Sequence, residues 1–176
     1  MGITYETVAA VLRETGLASP EHTRDILDRS SEVRTPLDPF EVARALEDFG
    51  AAVSVHADDV DVLEESYESL LRKAAALTGG AVTVSGVHLD DGADGDDVLH
   101  FERNGEPRSV DAEHLAEDYL DHAAAVEAIA ALSPGDGRQF REVDFDGAYR
   151  ERDTIVVLVT DEQREALRER LGLQLR

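Results

Sequence analysis

Apolar positions in the first fifty residues recur at intervals of three and four, the spacing of a helix that buries one side. Tyr5, Val8, Ala9 and Leu12 mark a first helix over residues 4–15, and Gly16 stands where a C-terminal cap belongs. Ser19 and Pro20 supply an N-cap followed by a proline at the first helical position. Thr23, Ile26, Leu27 and Ser30 then lie along one side of a second helix. Asp38, Pro39 and Glu41 open a third helix through a capping box; it runs through Val42, Ala45, Leu46 and Phe49 to Gly50.

The period then changes. Residues 51–57 alternate Ala51, Val53 and Val55 against Ala52, Ser54 and His56, which predicts a short strand at a sheet edge. Val60, Leu63, Tyr67, Leu70, Leu71, Ala74 and Leu77 return to the helical period. They predict a core helix of about five turns that stops at Gly79 and Gly80. A three-stranded meander follows over residues 81–89, 98–103 and 107–112, with Asn104 and Gly105 forming a type I′ turn. A two-residue turn there sets Leu99 opposite Val110, Phe101 opposite Arg108, and Arg103 opposite Glu106 as an ion pair.

A second core helix is expected near residues 114–133, with Leu115, Tyr119, Val126, Ile129 and Ala130 on one stripe. Ser133, Pro134 and Gly135 break the chain. Phe140, Val143 and Phe145 then suggest an irregular strand and residues 154–160 a buried one. Asp161 is expected to cap a last helix, and the alternating Leu171, Leu173 and Leu175 to add a final short strand. The fold class expected is α+β: three short N-terminal helices, then a mostly antiparallel sheet packed by two or three helices. The length suits one domain over residues 1–176, within which residues 1–50 could form a helical subdomain beside an α+β part at 51–176.

Charge adds something that the pattern does not. The net charge of −22 far exceeds the magnitude of about 2–8 that keeps a small domain soluble. The excess is dispersed along the chain and is not a tail. Dispersed like charge opposes compaction unless salt shortens the screening length, to about 3 Å near 1 M. Lys73 is the sole lysine among 17 basic residues, a bias that resembles salt-adapted proteins; a GC-rich coding sequence would have a similar effect. Carboxylates that imitate the phosphates of a duplex are a third explanation. Direct nucleic-acid binding is disfavoured by the absence of a basic patch.

There is no cysteine, so disulfides, thiolate metal sites and cysteine nucleophiles are excluded. No stretch approaches the ~18 consecutive apolar residues of a membrane span, so no membrane partner is expected. The N-terminal residues lack the pattern of a secretory signal, and a cytoplasmic location is the expectation.

Candidate chemistry is sparse. The run from Asp90 to Asp97 has acids and glycines but not the spacing of a calcium loop, and reads as a solvated hairpin loop. His88 and His100 flank it, and symmetric pairing would place both imidazoles on the outer face beside Ser109, where two histidines could contribute to a metal site. His114, Asp118 and His122 recur every four residues, so one helical face could offer two imidazoles and a carboxylate to a metal or to acid–base chemistry. The milder reading makes His122 a core histidine with Asp118 accepting its proton. No strained serine turn, dinucleotide fingerprint or phosphate loop is present, so no cofactor is expected. The expectation is therefore a non-enzymatic interaction module, an adaptor, inhibitor or immunity-like protein, with a basic protein partner. The alternatives are a metal-dependent enzyme built on His88 with His100, or on His114, His122 and Asp118, and a nucleic-acid mimic.

Overall fold

A computed structural model describes residues 2–56, 61–93, 96–144 and 153–176. Among them the N-terminal segment forms α1 (Tyr5–Glu14), α2 (Pro20–Arg29) and α3 (Pro39–Asp48). All three start at an oxygen-bearing cap: Thr4, Ser19 and Asp38 each accept from a backbone N–H of the first turn. Asp38 and Glu41 close a reciprocal capping box, which leaves Val42, Ala43, Ala45 and Leu46 to be buried along one side of α3.

The chain continues through β1 (Ala52–His56), α4 (Leu63–Leu77), β2 (Val84–Asp91), β3 (Asp97–Arg103), β4 (Glu106–Ala112) and α5 (His122–Ala130). It ends with β5 (Gln139–Asp144), β6 (Asp153–Val159), α6 (Asp161–Leu171) and β7 (Gln174–Leu175). The class is α+β, as the pattern predicts, and every strand pairing is antiparallel. The strands divide into two sheets, however. One has the order β1-β6-β5-β7, and the meander β2-β3-β4 stands apart as the other.

The division follows from where the apolar side chains go. On β6, Ile155, Val157 and Val159 join a buried cluster with α1, α3 and α6, while Val156 and Leu158 point the other way. That second cluster holds Tyr67, Leu70 and Leu71 of α4, Ala125 and Ile129 of α5, and Leu99, Phe101 and Val110 from the inner face of the meander. Helices α4 and α5 thus lie between two sheets, and the N-terminal helices cover the far face of the larger one. A strand covered on both faces needs no alternation, which is why β6 is a continuous apolar run.

Several boundaries differ from the pattern. Helix α4 begins at Leu63, behind an exposed Val62 that offers no capping side chain; Val60 lies outside the described residues. The last helix is capped by Thr160, which accepts from Gln163 N while Gln163 closes the box; Asp161 is the first helical residue. β5 is regular and pairs with β6 through Glu142, whereas Phe145 lies outside the described residues. β7 is the final short strand, set against Val143 and Asp144.

The largest departure is at residues 114–121, which are not helical. Asp121 is the N-cap of α5: its Oδ1 accepts from Ala123 N at 2.9 Å and Ala124 N at 3.2 Å, and its Oδ2 accepts from Glu113 N at 2.8 Å. The carboxylate that starts the helix also fastens the segment before it. Leu115 and Tyr119 are consequently exposed, at 84% and 40%, and Leu120 is the residue of this stretch that enters the core.

Candidate functional site

The meander assembles the first group of titratable side chains. Asn104 and Gly105 both have positive φ, the geometry of a type I′ turn, and Leu99, Phe101 and Arg103 face Val110, Arg108 and Glu106. The facing pair Arg103 and Glu106 does not form an ion pair. Arg103 turns inward to donate to Ser133 O at 2.8 Å, and Glu106 meets Arg108 at 2.9 Å.

On the other side of β3, His100 lies opposite His88. Their rings stack with centroids 4.9 Å apart and planes 17° from parallel. Asp90, two residues beyond His88 and so on the same face of β2, brings its Oδ2 to 3.6 Å from His88 Nε2 and 3.4 Å from His100 Nε2. The pattern places the two histidines together. Asp90 could also have been found, because strand residues two apart share a face. Glu102, the other nearby carboxylate, is engaged by Ser85 Oγ at 3.1 Å.

His114 belongs to a different arrangement. Its Nδ1 donates to Asp97 Oδ2 at 2.6 Å, which leaves Nε2 to accept from the Tyr67 hydroxyl at 2.8 Å. Tyr67 Oη in turn accepts from Asp121 N at 3.1 Å. Phenol, imidazole and carboxylate form a chain of the kind that activates a nucleophile, but Tyr67 is fully buried and no reactant can reach its oxygen. Burial also pushes the Tyr67 hydroxyl well above its ordinary pKa, so it stays a neutral donor. The chain ties β3, α4 and the segment before α5 together. Neither Asp97 nor Tyr67 stands near His114 in sequence, and no local periodicity could have signalled them.

The four-residue spacing of His114, Asp118 and His122 therefore produces no shared helical face. Asp118 is exposed in the turn before α5 and touches neither histidine. His122 opens α5 with Nδ1 at 3.4 Å from Thr154 Oγ1, while its Nε2 is buried without a hydrogen-bond partner.

His122 also lines a groove of about 630 Å³, with Leu115, Tyr119 and Val126 as its main apolar walls and Glu113 and Glu127 among its acids. Asp121 in the wall is occupied as a cap and Glu142 is paired with Arg176 at 3.0 Å. Glu113 and Glu127 form no ion pair among the described residues. Exposed apolar side chains beside unpaired carboxylates can accept a cationic, apolar ligand. The chain matches no family model, no curated protein and no solved structure.

Proposed function

We propose that this chain is a protein-interaction module that receives a basic, apolar-anchored segment of a partner in the groove beside α5. The observation that carries the proposal is the exposure of Leu115 and Tyr119 there, two of the three large apolar side chains exposed among the described residues. Large exposed apolar side chains gathered at a concavity favour a docking surface over scattered surface residues. The unpaired Glu113 and Glu127, on a chain of net charge −22, favour a cationic occupant.

The acid coat itself is better read as salt adaptation than as a duplex mimic, because carboxylates are carried by every described helix and by both sheets. In molar salt the attraction between exposed charges is screened within about 3 Å, so the apolar anchor must supply most of the affinity.

The test uses two arginine-rich peptides that differ at one position, leucine in one and serine in the other, titrated in molar potassium chloride. The leucine peptide should shift the resonances of Leu115, Tyr119 and Val126, and Leu115→Ser with Tyr119→Ser should weaken it about tenfold. Equal binding of both peptides, or shifts spread over the whole acidic surface, would refute a built docking groove.

A further inference from the structure

We infer that His88, Asp90 and His100 form a binding site for a divalent transition-metal ion of the zinc type, on the outer face of the meander. The three ligand atoms, one from each side chain, all lie within 4.8 Å of one another. A tetrahedral ion with bonds of about 2.0–2.1 Å holds its ligand atoms about 3.3–3.5 Å apart. The distances of 3.4 and 3.6 Å from Asp90 Oδ2 to the two Nε2 atoms are therefore close to those of a loaded site.

A second feature orients one ligand. His88 Nδ1 lies 2.8 Å from Gly86 O, and a carbonyl can only accept, so Nδ1 carries a proton and in the neutral ring the lone pair of Nε2 faces Asp90. A backbone carbonyl on the far nitrogen is the usual outer partner of a metal-binding imidazole. The carbonyl is placed there by a bulge: pairing of β2 with β3 shifts register between Ser85 and His88, and Gly86 takes φ of 62°. In the neutral ring the Nε2 lone pair and the Asp90 carboxylate are two acceptors turned toward each other, and a cation between them satisfies both.

The donor set selects the ion. Two imidazoles and one carboxylate suit zinc, cobalt, nickel or copper, whereas calcium and magnesium take oxygen ligands. With three protein ligands among the described residues, water completes the fourth position. The lone pairs lie in the planes of two stacked rings, so closing on one ion requires the planes to open from their present 17°. The site shares no residue with the groove beside α5, and metal binding stands or falls independently of peptide docking.

Titration of the full chain with zinc chloride in molar potassium chloride, after chelator treatment, decides the matter. The salt suppresses diffuse attraction of cations to the acidic surface. One equivalent should bind, with perturbation of the His88 and His100 imidazole resonances and not those of His114 or His122. His88→Ala and His100→Ala should each weaken binding by about tenfold or more. All three side chains are solvent-accessible, so these variants should fold. Cobalt should report the same site by the intense visible absorption of a tetrahedral centre. Zinc binding equally tight in the double variant, or resonance changes confined to carboxylates elsewhere, would overturn the inference.

Discussion

The hydroxyl of Tyr67 illustrates how much one buried polar atom can organise. It donates to His114 and accepts from the backbone of Asp121, within a side chain that has no contact with water. Tyr67→Phe preserves the packing but leaves the Asp121 N–H without its acceptor, and should cost about 1–3 kcal/mol, read from the urea midpoint. The two tyrosines with raised pKa values also set an alkaline limit. Tyr5 is pushed up to about 12, first by burial and then by the carboxylate of Asp48, and Tyr67 is raised by burial. A phenol whose folded pKa exceeds its unfolded value of 10.0 contributes stability that is complete below pH 10 and lost as pH rises through the folded value. Stability should therefore fall between about pH 10 and 12, and Tyr5→Phe should flatten that decline in a denaturation series against pH.

At the level of elements, the start of α5 shows where local pattern stops being informative. Leu115 and Tyr119 have helical spacing with Val126, yet the helix begins seven residues after Leu115 because Asp121 caps it and Asp97 and Tyr67 hold His114 out of it. The spacing is a property of neighbouring residues; the contacts that override it come from β3 and α4. The meander is the opposite case. Its turn demands positive φ at two residues, Asn104 and Gly105 supply them, and the register of β3 against β4 follows from that turn alone. His88 and His100 pair across the other hairpin, where symmetric pairing about the loop between Asp91 and Asp97 sets them opposite, so their partnership could be read from the sequence, while that of Asp97, His114 and Tyr67 could not. Asp121→Ala removes the acceptor for three backbone N–H groups and should destabilise the protein by about 1–2 kcal/mol. Asp118→Ala, within a turn of it in sequence but exposed, should stay within about 0.5 kcal/mol. Equal losses in the two variants, compared by thermal melts, would place the helix start elsewhere.

For the molecule as a whole, the balance is between the apolar burial of two sheets and two helical layers and a coat of like charge. Exposed ion pairs such as Arg34 with Glu6 or Arg72 with Glu68 do little to offset that repulsion, since each contributes about 0–1 kcal/mol. Transfer from molar potassium chloride to dilute buffer should lower the melting temperature, by about 2–4 °C for each kcal/mol of lost stability. An unchanged midpoint in calorimetry would mean that the carboxylates do not repel in the folded state.

The two sheets end in four edge strands, and molar salt would weaken the usual electrostatic guard against neighbouring molecules adding a strand there. Geometry takes over that task. β7 has two residues and β1 five, β2 is bulged at Gly86, and β4 carries Pro107, which has no N–H to offer a newcomer. A chain whose edges are blunted by shape can remain monodisperse at ionic strengths where mutual repulsion between molecules no longer keeps them apart.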